Sequence, residues 1–144
     1  MIEELELVTR DNPGWRSYVV ADAVRVSLSV SDMPLAVRML AGTTSIPRRN
    51  DGTVTAARAV VAEARGVLDE ALELHSAAAG LWATFGHVEE LGHALLGQGR
   101  CLVLVARPNE AHAALGAART IFDGLEARPL RDEAERWLQQ IADR

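Results

Sequence analysis

The sequence contains no lysine, and all 15 of its basic residues are arginine. This excludes a phosphate-binding loop of the kind that ends in Lys-Ser or Lys-Thr. We interpret the arginine preference as a GC-rich coding bias of an actinobacterial kind. The single cysteine, Cys101, excludes an internal disulfide and fits a reducing compartment, so we expect a cytoplasmic protein.

Aromatic residues make up only 4% of the chain, whereas alanine is its commonest residue. This composition favours closely packed helices over strands. No stretch reaches the roughly 20 apolar residues of a membrane span, and the acidic first residues do not form the basic start of a signal peptide. The net charge of −5 argues against nucleic acid as a direct partner. A chain of 144 residues is expected to form one domain.

One helical pattern occurs twice in the second half of the chain, with a period of about forty residues. The apolar or small residues of the first copy are Ala71, Leu74, Ala78, Leu81, Trp82 and Phe85. Those of the second copy are Ala111, Ala114, Ala118, Ile121, Phe122 and Leu125. Steps of three or four residues place each set on one face of a helix. Since one such unit cannot bury its face alone, the repeat predicts a stack of helices.

Residues 1–144 are predicted to form one domain. Breaks in the helical periodicity divide it into three helix pairs and a final helix. The pairs are predicted at 14–42, 53–85 and 87–126, and the capping helix at 129–142. Before them, residues 2–8 read as a short helix that the Pro13-Gly14 step ends. Residues 42–51 read as a loop, in which Arg48 and Arg49 are expected to be solvated.

The segment from Trp15 to Ser31 is ambiguous between helix and strand. Apolar and polar residues alternate from Val24 to Val30, which is typical of a half-buried strand. Val19 also fits helical steps with Trp15, and no partner strand occurs elsewhere. We therefore predict a helix, followed by Asp32 as the N-cap of the next helix.

Several residues of the third pair match signature positions of one repeat family. Gly99 and Leu102 match its small residue and following large apolar residue in the first helix, and Ala111 matches the alanine of the second helix. Leu115 and Ala118 occupy the next two signature positions. On these residues the chain resembles the tetratricopeptide-repeat family. The resemblance implies an all-α fold: a right-handed stack of antiparallel helix pairs, three of them, with a capping helix.

A narrower resemblance covers residues 95–102 and 118–122. These stretches are similar to the C-terminal repeats of large actinobacterial transcriptional regulators that carry an ATPase module, sometimes with a cyclase domain. This implies a non-catalytic protein–protein interaction scaffold, part of such a regulator or derived from one, that binds a protein or peptide. The family's groove-facing positions correspond to His93, Leu96, Arg100 and Val103. Arg100 would pair with an acidic partner group through its planar guanidinium.

The alternative is a small-molecule effector-binding helical domain that regulates an attached or partner enzyme. An apolar pocket of ligand size, rather than a surface groove, would favour this second class. The two classes remain open at the level of the sequence.

The potentially reactive side chains do not form a recognisable catalytic or metal pattern, so we expect no cofactor and no metal. His87 and His93 are six residues apart and do not share a helical face as an i, i+4 metal pair would. Cys101 follows Arg100 in an apolar helix and is interpreted as a small core residue. His75 occupies the position of Leu115 in the other copy, which predicts a packed histidine with a hydrogen-bond partner.

Two adjacent carboxylate pairs, Glu89-Glu90 and Asp132-Glu133, have the composition of a catalytic pair. Adjacent residues on a helix point apart, however, so we interpret both pairs as first-turn charges favoured by the helix dipole. Trp82, Phe122 and Trp137 lie at core spacing and are expected to pack in the interior.

Overall fold

A computed structural model describes residues 13–41, 43 and 51–143, with side chains from residue 19 onward. Within these residues the chain forms seven α-helices and no strand, which confirms the all-α prediction. The helices are α1 (Pro13–Ser29), α2 (Met33–Ala41), α3 (Asp51–Ala64), α4 (Leu68–Phe85), α5 (Val88–Leu104), α6 (Pro108–Gly124) and α7 (Arg128–Ala142). The predicted helix at 2–8 and the two loop arginines Arg48 and Arg49 lie outside the described residues. Across the described ranges, every helix is too short or too polar to cross a membrane.

The ambiguous segment is helical, as predicted, and forms most of α1. The Pro13-Gly14 step opens this helix, because proline is well tolerated in a first helical turn. At the other end, Asp32 caps α2. Its Oδ1 accepts a hydrogen bond from the Leu35 backbone N–H at 2.9 Å, which confirms the predicted N-cap.

The turns between helices follow one pattern. Apart from the connection between α2 and α3, which lies largely outside the described residues, each turn contains a residue with positive φ: Ser31, Gly66, Gly86, Ala106 and Glu126. In each turn the N–H of the next residue donates to a carbonyl five residues earlier, as in a Schellman closure. The last four positive-φ residues lie 20 residues apart. One helix with its turn therefore takes half of the forty-residue repeat.

Aromatic side chains packed against glycines recur with the same forty-residue period. Trp82 in α4 lies over Gly52 in α3, and Phe122 in α6 lies over Gly92 in α5; both rings are buried. A Cβ atom added at Gly52 would lie 2.9 Å from the Trp82 ring, and one added at Gly92 would lie 3.0 Å from the Phe122 ring. This confirms the predicted burial of both rings. Gly92 of α5 therefore accommodates the Phe122 side chain of α6.

Some residues predicted to be buried lie at helix ends instead. Phe85 is the last residue of α4 and Leu125 follows α6; both are exposed. The helical period places them on the apolar face, but the neighbouring helix does not cover the end of that face.

The helices pack in a regular order. Each helix contacts the next one in sequence, and contacts also join α1 to α3, α3 to α5, and α5 to α7. The even-numbered helices do not pack against one another to a similar extent. The odd-numbered helices therefore lie side by side as one layer, and this layer carries the site described below.

The buried rings provide a test of the repeat. Replacing Trp82 or Phe122 by alanine is expected to lower the free energy of unfolding by about 3–5 kcal/mol, because each change leaves a cavity against a glycine. Phe85→Ala serves as the control, since Phe85 is 45% exposed whereas Trp82 is 5% exposed, and it should cost much less. Denaturant melts measure all three. Losses below about 1 kcal/mol for both core variants would show that the repeat does not carry the packing.

Candidate functional site

A cavity of about 510 Å³ lies among the odd-numbered helices. Its walls come from α1, α3, α5 and α7, and His75 of α4 lies at its base. The residues that line it include Arg25, Val26, Val60, His93, Arg100 and Leu130. The cavity thus combines apolar side chains with two arginines.

Arg25 links α1 to α5 across this cavity. Its guanidinium donates to the two carboxylate oxygens of Glu90 at 2.9 and 3.3 Å and to Asp22 Oδ1 at 2.7 Å. Burial alone would lower the pKa of Arg25, but the hydrogen bonds and charges of Glu90 and Asp22 raise it. Arg25 therefore stays charged and holds the two helices together.

Arg100 joins α3, α5 and α7. Its Nε and Nη2 donate to both carboxylate oxygens of Glu63 at 2.6 and 2.8 Å, and its Nη1 donates to Glu133 at 3.0 Å. Although burial opposes its charge, the hydrogen bonds and charges of these two carboxylates raise the pKa of Arg100. The sequence interpretation left this guanidinium free for an acidic partner. In the structure, all three of its nitrogens already have intramolecular acceptors.

Glu63 and His75 form a buried pair beneath Arg100. Burial tends to raise the pKa of Glu63, but hydrogen bonds from Arg100 and His75 and the positive charge of Arg100 lower it to about 2. The ionised carboxylate accepts a hydrogen bond from His75 Nε2 at 3.0 Å. This confirms the predicted packed histidine with a partner. The other ring nitrogen, Nδ1, is buried and has no hydrogen-bond partner within the described part of the chain.

Cys101 completes a cluster of three potential metal ligands. One donor atom each from Glu63, His75 and Cys101 lies within 4.8 Å of the other two. Cys101 is fully buried, as predicted for a core residue. Burial and the negative charge of Glu63 raise the pKa of its thiol to about 12. The thiol is therefore protonated at neutral pH and unsuited to act as a nucleophile.

The four residues predicted to face a partner lie in two environments. His93, Leu96 and Arg100 line the cavity, and the His93 ring lies edge-on to the Phe122 ring with centroids 5.4 Å apart. Val103 is buried in the core formed by α5, α6 and α7 and does not line the cavity. Partner binding by these four residues stays a prediction.

The adjacent carboxylates differ in their placement. Glu89 and Glu90 lie in the first turn of α5, as expected, but Glu90 is also the partner of Arg25. Asp132 and Glu133 lie beyond the first turn of α7, so the interpretation of that pair as first-turn charges is wrong. The reason is that α7 begins at Arg128, one residue before Pro129.

Sequence reasoning missed both arginine networks because their members are far apart in the chain. Arg25 and Glu90 are separated by 65 residues, and Glu63 and Arg100 by 37. A usable signal did exist at Glu63, whose counterpart forty residues later is the buried Val103. A carboxylate at a core position of the repeat requires a partner from another helix.

Comparison of the chain with protein-family models, with curated proteins and with solved structures gave no match in any of the three. The resemblance to tetratricopeptide repeats therefore rests on the residues quoted above.

Reversing the charge at Arg100 tests its role. Arg100→Glu would place a third carboxylate against Glu63 and Glu133, so we expect it to lower the free energy of unfolding by about 3–5 kcal/mol. Arg107→Glu is the matched control, because Arg107 pairs only with the exposed Glu110 one turn away, and it should change stability little. Equal denaturation midpoints for the two variants would contradict a structural role for Arg100.

His93 provides a pH test. Burial and the positive charges of Arg25 and Arg100 lower its pKa from 6.5 to about 4, partly opposed by Glu90 and Asp22. Between these values the unfolded chain binds a proton that the folded chain does not. The contribution of His93 to the free energy of unfolding is therefore fully present above pH 6.5 and is lost as the pH falls towards 4.

We expect the free energy of unfolding of His93→Gln to fall by about 2–3 kcal/mol less than that of wild type between pH 7 and pH 4. His112→Gln, at an exposed site on α6, should leave the wild-type pH profile unchanged. Urea melts from pH 7 to pH 4 measure the effect. The Glu63 carboxyl contributes separately, because its stabilisation is lost only as the pH falls from 4.5 towards 2. If the free energy of unfolding depends on pH in the same way for wild type and His93→Gln, His93 is not the group responsible for the loss of stability.

Proposed function

We propose that this chain is a non-catalytic protein-interaction scaffold and that its odd-numbered helices form the binding surface. The observation that carries this proposal is the composition of the cavity wall: α1, α3, α5 and α7 all contribute to it. These are the first helices of the three pairs and the capping helix. The 20-residue spacing of the turns supports a stack of equivalent pairs.

The proposed architecture is a right-handed, tetratricopeptide-like stack of antiparallel pairs. We further propose that the chain is part of a bacterial signalling or transcriptional regulator, or derives from one. Support for this comes from the resemblance of residues 95–102 and 118–122 to actinobacterial regulators. In such a stack the first helices present a continuous groove to an extended peptide.

The charges around the cavity favour a cationic group on the partner. Four carboxylates, those of Asp22, Glu90, Glu63 and Glu133, engage only two guanidiniums. The net charge of these six groups is negative, so a lysine or arginine of the partner is attracted whereas an acidic group is repelled. Partly exposed apolar residues, Val26 among them, provide the hydrophobic contact. The partner we propose is therefore a peptide segment that carries an apolar side chain next to a basic one.

Selection of peptides from a random library against the purified protein tests this proposal. Peptides recovered on wild type should be enriched in basic residues, and their affinity should fall as the salt concentration rises. Val26→Asp removes an apolar wall of the cavity and should raise their Kd by about tenfold or more. Since the added carboxylate by its charge alone would favour a basic peptide, a weaker affinity reports the lost apolar contact. Val88→Asp is the matched control, because Val88 is 50% exposed and Val26 44%, but Val88 lies outside the cavity.

Melting curves of both variants establish that the fold is intact. Peptides that bind Val26→Asp and Val88→Asp equally well would place their binding site elsewhere. A library that gives no binding peptide at all would contradict the scaffold proposal.

A second candidate function is the binding of a small-molecule effector that regulates a partner enzyme. The volume of about 510 Å³ favours it, since ligand pockets commonly measure about 300–1,000 Å³. A metabolite library screened by thermal shift distinguishes the two. A small molecule that raises the melting temperature of Val88→Asp but not of Val26→Asp would support the effector function.

A further inference from the structure

We propose that Glu63, His75 and Cys101 form a binding site for Zn²⁺ or a similar divalent metal between α3, α4 and α5. Oxygen, nitrogen and sulfur donors of this kind are those that zinc takes in proteins. Each comes from a different helix, and the donor atoms lie within 4.8 Å of one another. The proposal does not rest on the proposed scaffold function, although Glu63 is also one of the carboxylates counted around the cavity.

The spacing of the donors suits a metal ion. Zinc bonds of about 2.0–2.3 Å place neighbouring ligand atoms of a tetrahedral site roughly 3–4 Å apart. The present separations of up to 4.8 Å exceed this range by about an ångström. His75 also lines the cavity, which gives the metal a route from solvent and offers a water molecule as the fourth ligand.

The internal repeat shows that packing does not require these polar residues. The positions forty residues after Glu63 and His75 are Val103 and Leu115, both buried. The same architecture therefore accepts valine and leucine at these two positions. Burying a carboxylate and an imidazole in their place costs desolvation free energy, which an apolar pair avoids. In addition, Nδ1 of His75 is buried and has no hydrogen-bond partner within the described part of the chain.

The charge balance of the cluster also favours a cation. Among the partly exposed side chains of Glu63, Glu133 and Arg100, the carboxylates outnumber the guanidinium by one, so this group has one negative charge in excess. Binding of a divalent ion with loss of the thiol proton adds one positive charge and makes the group neutral.

In the metal-bound state the thiolate of Cys101, a neutral ring nitrogen of His75 and one Glu63 oxygen each donate an electron pair. The thiol proton leaves to solvent, so one proton is released for each metal ion. Arg100 keeps its hydrogen bonds to Glu63 and orients that ligand. Because the thiol must lose its proton, affinity should fall as the pH is lowered.

Titration of the full, untagged chain with Co²⁺ tests the site. Wild type should develop a thiolate-to-cobalt charge-transfer band in the near ultraviolet, together with the intense visible bands of tetrahedral cobalt. Equimolar Zn²⁺ should abolish both sets of bands and raise the melting temperature. Proton release in weak buffer should approach one per metal ion.

Three variants make the result specific. His75→Leu copies the residue that the repeat has at position 115, so the fold should tolerate it, and Cys101→Ala removes the thiolate. Both should lose the charge-transfer band and bind Zn²⁺ at least about 100-fold more weakly. His112→Ala, which removes an exposed histidine on α6, should bind like wild type.

Two results would overturn the proposal. One is a folded wild-type protein that shows no charge-transfer band in excess Co²⁺. The other is a band that persists in folded His75→Leu or disappears equally in His112→Ala, since either would place the metal elsewhere. Peptide binding by the cavity can fail or succeed without altering these outcomes.

Discussion

The contacts of Trp82 with Gly52 and of Phe122 with Gly92 determine how successive helices meet. A glycine at each of these points removes the Cβ that would strike the ring, so an aromatic side chain reaches the helix surface of its neighbour. The same contact occurs twice at a forty-residue spacing, and the turns repeat at half that spacing. The regular order of the helices follows from these two repeated features. The odd-numbered layer, with its cavity, is a consequence of that order.

The two copies of the repeat differ in the side chains that fill one helix interface. One interface is filled by Val103 and Leu115, whereas the equivalent positions of the preceding one hold Glu63 and His75. Arg100 neutralises Glu63 and extends the network to α7 through Glu133. A polar cluster of this kind costs desolvation free energy, and the apolar interface beside it shows that the fold does not need it. The cavity and the candidate metal site both lie at the position of Glu63 and His75, where this copy departs from the apolar one.

Much of the fold was predictable because it depends on local chemistry. Asp32 caps α2, and the helical steps of the repeat place Trp82 and Phe122 in the core. The exposed Phe85 shows the limit of such reasoning, because periodicity identifies a helical face but not how far a neighbour covers it. The ion pairs were not predictable, since Arg100 contacts residues 37 and 33 positions away that no local rule connects.

The sequence by itself determined the helical class, most of the helix boundaries and the forty-residue repeat, because propensity, capping and periodicity act over a few neighbouring residues. It also determined that His75 occupies a core position. Only the tertiary structure decided that Arg100 is committed to intramolecular carboxylates and that Val103 is core. It alone brought donor atoms of Glu63, His75 and Cys101 within 4.8 Å of one another. The reason is physical: these relationships depend on how α3, α4, α5 and α7 pack, and packing joins residues whose separation in the chain has no fixed period.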